Sequence, residues 1–232
     1  MGIGLPAARH DRRPRGRRGG DVRRRSPRRR DGRQRRALPR PRVAVRLFLA
    51  IELPEPWLRE ATRALDALTA ALGEDAEVLR PVALDRMHLT VRFLGEVDEE
   101  RLPALDGALR ASVPPVGVDL ELATPGTFGS AARTSVVWLG LGGDLDTLRA
   151  LAARVESAVE AAGLPAERRE LRPHVTLARV RQRASAAQRR AIASAVATLE
   201  PPAPHPYRAV EVVLVRSHLG AGQPRYEVLR RY

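Results

Sequence analysis

Along residues 46–232 the apolar positions switch between the period of a strand and the period of a helix. "RLFLAIEL" at 46–53 is apolar on both faces, as a strand covered on two sides must be. Beyond Pro54, Glu55 and Pro56, the residues Leu58, Ala61, Leu65, Leu68 and Leu72 recur at steps of three and four, which predicts a helix closed by Gly73. Short extended pieces are expected near Val78 and Leu79 and over residues 88–94. A second helix should start near Asp98, with Leu102, Leu105 and Leu109 on its core side. "VGVDLEL" and "TSVVWLGL" read as strands. Asp144 is placed to cap a third helix carrying Leu145, Leu148, Ala152, Val155 and Val159, ended by Gly163. A strand over 174–180 follows. Ser185 and Gln188 then have the spacing of a capping box at the head of a fourth helix bearing Ile192, Val196 and Leu199. "YRAVEVVLV" and "RYEVL" complete the chain as strands.

The resulting order, β-α-β-β-α-β-β-α-β-α-β-β, is too irregular for a doubly wound sheet and too rich in helices for a sandwich, so the fold class is α+β. Within it, His-x-Thr-apolar is written twice, "HLTV" at 88–91 and "HVTL" at 174–177, 86 positions apart. That separation fits two similar lobes of about 90 residues each. Residues 46–232 are therefore read as a two-lobed domain.

Composition changes the picture at the N-terminus. The net charge of +14 invites a nucleic-acid reading, but residues 1–45 hold 17 Arg against 3 Asp, and the remaining residues carry 24 basic and 24 acidic groups. The 1–45 stretch is low-complexity and too poor in apolar residues to offset the entropy of ordering it, so a disordered Arg-rich extension is expected. A basic arm on RNA, a tail without a role, and a mis-assigned start with translation from Val45 all remain compatible with it. All 41 basic residues are arginine, a bias that weakens arguments for guanidinium at any one site. The absence of cysteine excludes disulfides and thiolate metal sites and suits a reducing cytoplasm. No run of about 20 apolar residues is present, so no membrane association is expected. Without lysine, a covalent nucleotidyl-lysine route is closed.

The two His-x-Thr strands carry the candidate chemistry. On a strand, His88 and Thr90 face one way while Leu89 and Val91 face the other, and the same holds for His174 and Thr176 against Val175 and Leu177. If the lobes meet across a groove, two imidazoles and two hydroxyls converge. One neutral imidazole can take a proton from an attacking oxygen while one imidazolium donates to a departing oxygen. Threonine hydroxyls can donate to non-bridging phosphate oxygens. This suits phosphodiester chemistry without a metal. With 9 Thr in 232 residues, two of five histidines acquiring Thr at +2 is more than chance readily supplies.

Together with "RLFLAIELP", "RFLGEV", "PGTFG", "RPHVTLARV" and "VRSHLGAGQPRYEVL", the paired tetrapeptides make residues 46–232 resemble the 2H phosphoesterase superfamily. Within it the likeness is to the bacterial RNA 2′,3′-cyclic phosphodiesterases, formerly called 2′-5′ RNA ligases. The resemblance implies a two-lobed, pseudo-symmetric α+β fold, with antiparallel sheets lining a central groove and helices outside. It also implies hydrolysis of RNA terminal 2′,3′-cyclic phosphate to a 2′-phosphomonoester with no cofactor or metal. His88 would be the proton donor, His174 the proton acceptor, and Thr90 and Thr176 would hold the phosphate. The implied substrates are RNA ends, tRNA fragments among them, or small cyclic nucleotides, handled by a cytoplasmic monomer.

Strand parity places Arg92 on the histidine face and Arg179 on the opposite face unless its strand bulges; both are phosphate-binding candidates. Phe128, in a Gly-flanked loop, is the leading base-stacking candidate, with Tyr226 also considered, while core packing is expected for Phe48 and Trp138. A three-histidine metal site would have to draw in His218. Two other readings stay open: action on another cyclic or 2′-5′-linked nucleotide, and a non-catalytic RNA-binding module that uses the basic arm.

Overall fold

A computed structural model of the chain describes residues 43–113, 115, 117–220 and 224–232. Residues 1–42, and with them nearly all of the extension expected to be disordered, lie outside that set.

Among the described residues the chain runs through β1 (Ala44–Glu52), α1 (Glu55–Leu72), β2 (Leu79–Pro81), β3 (His88–Asp98), α2 (Leu102–Ser112), β4 (Val118–Phe128), β5 (Val136–Gly143), α3 (Leu145–Ala161), β6 (His174–Val180), α4 (Ala186–Ala197), β7 (Tyr207–Ala209), β8 (Val213–His218) and β9 (Arg225–Arg231). β1 begins at Ala44, inside the stretch read as extension, and Val45 is buried in the core. The local signals behave as their chemistry dictates. The Asp144 carboxylate accepts from the Thr147 amide at 3.0 Å, and the Ser185–Gln188 capping box is closed in both directions, at 2.9 and 3.2 Å. "YRAVEVVLV" is two strands instead of one: β7 pairs with β4 and β8 with β1, so residues 210–212 carry the chain from one half of the sheet to the other.

The two expected sheets are one curled sheet in the order β7-β4-β5-β6-β3-β1-β8-β9, with β2 alongside β6 and every pairing antiparallel. The two His-x-Thr strands are its middle pair, joined through Leu89 and Val175. Four helices cover one face; α2 packs on α3 and α1 on α4. Leu47, Leu49, Leu89, Leu139 and Leu177, each 1% exposed or less, face those helices. On the other face Phe48, Ala50, Val213 and Val215 form a smaller cluster with Tyr226. Thus β1 is covered on both sides, as its double apolar face requires.

Candidate active site

The register through Leu89 and Val175 sets the site. One step along an antiparallel ladder in either direction brings His88 beside Thr176 and Thr90 beside His174, all on the helix-free face. The two histidines are then diagonal neighbours, a relationship that separates residue positions by roughly 7–8 Å and their Cβ atoms by somewhat less. All four side chains line one groove of about 470 Å³.

The imidazoles are held alike. Nδ1–H of His88 donates to the Arg86 carbonyl at 2.8 Å, and Nδ1–H of His174 donates to the Arg172 carbonyl at 2.6 Å, two residues back in each case. A carbonyl only accepts, so each Nδ1 carries a proton and each Nε2 is the atom left for chemistry. Burial lowers both imidazoles below their ordinary value, the carbonyl bonds oppose this, and the nearby Arg179 guanidinium adds to the lowering; His88 is lowered further by the charge of His174. Protonation of one ring therefore disfavours protonation of the other. Among the described residues no other protein group engages the Thr90 or Thr176 hydroxyl.

Each histidine has its own aromatic wall. Phe48 stacks on His88 at 4.6 Å with 27° between planes, and Tyr226 meets both rings edge-on at 5.0 and 5.5 Å. Phe128 meets His174 edge-on at 4.8 Å and leans on Trp138 at 5.4 Å. Phe48 is buried as expected, yet its ring is spent on the catalytic candidate and not on the helix-side core. Phe128 buttresses His174 and lines a neighbouring cavity instead of the groove itself. The "PGTFG" segment has a steric reason: Gly126 lies opposite Trp138, and a Cβ there would sit 2.2 Å from the indole.

Two β-bulges decide the arginines. In β3, Ala50 pairs with Thr90 and Leu49 with Arg92, leaving Val91 as the extra residue; in β6, Trp138 pairs with Thr176 and Val137 with Ala178, leaving Leu177 extra. Both bulges fall at the fourth residue of His-x-Thr-apolar, and each reverses the parity beyond it. Arg92 is thereby turned to the helix side, a correction to the parity argument. Its guanidinium pairs with Glu156 on α3, two side chains 10% and 22% exposed, and donates to the Pro165 carbonyl at 2.6 Å. Arg179, one residue further along its motif, is turned onto the groove face with the histidines. Its counterpart in β3 is Phe93, 44% exposed, with the Arg46 guanidinium 4.7 Å above the ring.

The sequence reading missed Arg80, which lies directly across from Arg179 in the β2–β6 ladder. Among the described residues neither Arg80 nor Arg179 is paired with a carboxylate. Arg86 and Arg46 also line the groove, and no Asp or Glu does. Arg179 is the one of these four that the sequence motif marks; nothing in a single sequence with 41 arginines marks Arg46, Arg80 or Arg86, which only the fold selects. His218 bonds Glu227 through Nε2 at 2.7 Å, and among the described residues no three His, Asp or Glu side chains are grouped to hold a metal ion.

The groove combines two lowered imidazoles, two free hydroxyls and unpaired guanidinium groups, which suits an anion that exchanges protons at two oxygens. The family model described as "2′-5′ RNA ligase superfamily" matches residues 54–221. An RNA 2′,3′-cyclic phosphodiesterase of Escherichia coli (strain K12) is 32% identical over 188 residues, covering 81% of this chain and 95% of that protein. An RNA 2′,3′-cyclic phosphodiesterase of Aeropyrum pernix is 37% identical over 117 residues, 50% of this chain and 66% of the relative. The crystal structure of E. coli LigT complexed with 3′-AMP matches with a TM-score of 0.63 and 30% identity, over 82% of this chain and 98% of that one. A crystal structure from Thermus thermophilus, of the protein TT0787, matches with a TM-score of 0.64 and 25% identity, over 81% and 96%.

Proposed function

From a chain that belongs to the 2′-5′ RNA ligase superfamily, we propose a metal-independent hydrolase that opens RNA terminal 2′,3′-cyclic phosphate to a 2′-phosphomonoester. The observation that carries the reading is the matched pair of imidazoles, each with Nδ1 fixed by a carbonyl and Nε2 free in one carboxylate-free groove.

In this scheme Nε2 of His174 removes a proton from water as its oxygen attacks phosphorus. The bond from phosphorus to O3′ breaks, and Nε2–H of His88 donates its proton to that oxygen, leaving the phosphate on O2′. Thr90, Thr176 and Arg179 hold the non-bridging oxygens, where negative charge rises in the transition state. The bound anion raises both imidazoles from their lowered values, which lets His88 hold a proton taken up from solvent until it is donated. The reaction leaves His174 protonated and His88 neutral, and exchange with solvent resets them. The assignment of donor and acceptor follows the family likeness, because the two surroundings are nearly alike. Attack by an RNA 5′-hydroxyl in place of water would make a 2′-5′ linkage with the same groups.

RNA fragments with cyclic ends are the proposed substrates, tRNA pieces and small cyclic nucleotides included, for a monomer in the cytoplasm. Among the described residues no helix is long and apolar enough to cross a membrane. Product analysis on an oligoribonucleotide with a 2′,3′-cyclic end tests the reading: a 2′-phosphate should form at equal rates with and without EDTA. A 3′-phosphate product, or activity abolished by the chelator and restored by a divalent ion, would overturn it.

A further inference from the structure

A second cavity, of about 500 Å³, opens beside the groove and shares Thr90, Phe93 and His174 with it as a common wall. Its sides come from Ala152 and Ala153 on α3 and from Leu171 and Arg172 on the segment that leads into β6, with Phe128 against His174. Each cavity has the size that receives one small ligand of nucleotide class, and the wall between them is the phosphate-binding candidate itself. A substrate that fills both is at least two nucleotides long.

The charges in this second cavity separate into spent and unspent groups. Arg92 is taken by Glu156, and Arg169 by Glu167, whose amide also donates to Glu156 at 2.7 Å. Arg172 and Glu170 make no side-chain hydrogen bond or ion pair among the described residues. An apolar floor with one free cation near the catalytic wall and one free acceptor fits a nucleoside attached to a phosphodiester.

We propose that this cavity is the subsite for the nucleotide preceding the cyclic-phosphate end: its base lies against Phe128 and Leu171, and Arg172 meets the phosphodiester that joins the two nucleotides. The proposal rests on the reading of the groove as a site for RNA cyclic ends. It makes the enzyme selective for a chain over a mononucleotide.

The test compares kcat/KM for a dinucleotide ending in 2′,3′-cyclic phosphate with that for the corresponding nucleoside 2′,3′-cyclic phosphate. It uses the full chain as wild type, Ala153→Trp and Arg172→Ala. Calorimetric affinities are measured in parallel for the two 2′-phosphorylated products. Ala153 is an exposed helix position, so a tryptophan there fills the cavity without entering the core. The wild type should favour the dinucleotide by roughly tenfold, the contribution of about one stacked base. Ala153→Trp should abolish most of that ratio, mainly through KM, and Arg172→Ala should reduce it. A wild type with no preference in turnover or binding, or variants that lower both substrates alike, would overturn the subsite. Should the wild type hydrolyse neither compound, the proposed activity falls, and the product affinities alone then decide the subsite, the same ratio sustaining it and a ratio of one removing it.

Discussion

Leu89 pairs with Val175 where the two halves of the sheet meet, and this contact sets the histidines across from each other's threonines. The pair is itself buried on the helix side, at 1% exposure for each residue, so a register slip would put His88 and His174 into the core. The placement of these four side chains on one face is in that sense enforced by hydrophobic burial.

Replacing either histidine by alanine should therefore cost chemistry and not structure. Among the described residues each Nε2 makes no hydrogen bond, so His88→Ala or His174→Ala is expected to lower kcat roughly 10²- to 10⁴-fold, the usual contribution of a general acid or base. Thermal unfolding should stay close to the parent's. Turnover at the parent rate would remove the mechanism.

Arg179 and Arg92 should separate cleanly. Arg179→Ala removes a groove cation and should reduce kcat/KM by about 10- to 100-fold, with little change in unfolding. Arg92→Ala leaves Glu156 partly buried without its partner, and should cost about 1–3 kcal/mol in urea denaturation, less than for a fully buried pair. Exchanged outcomes for the two variants would mean that the bulges are misplaced.

The lowered imidazoles make a pH prediction with a definite sign. Because the native rings bind protons less readily than unfolded ones near 6.5, stability should be fully present above that value and decline as pH falls through the lowered native values. His88→Ala should flatten this part of the profile. In kinetics the acid limb of kcat/KM should lie below the ordinary imidazole range, and that of kcat should lie higher, because bound substrate adds a negative charge beside both rings.

Phe48 tests the cause of that lowering. Phe48→Leu takes away the ring stacked on His88 and admits water, so the His88 titration followed by NMR should move up toward the ordinary value. His174, walled by Phe128 and Trp138, should move much less. The lost packing should cost about 1–2 kcal/mol. An unmoved His88 would show that desolvation comes from elsewhere in the groove.

What could be read from the chain alone was whatever depends on neighbours in sequence: the helices with their Asp144 and Ser185 caps, the period-2 faces of "HLTV" and "HVTL", and from these the four groups at the centre of the site. Arg80 escapes a sequence reading because its place across from Arg179 is set by the β2–β6 pairing, and parity puts Arg92 on the wrong face because of a bulge. A bulge is a property of two strands in register, and the extra residues at Val91 and Leu177 exist only against β1 and β5. Likewise the split of "YRAVEVVLV" is decided by which edges of the sheet lie open to receive β7 and β8. Local periodicity puts the two imidazoles and two hydroxyls on one face of their strands, and non-local pairing chooses the arginines that face them and the rings that shield them.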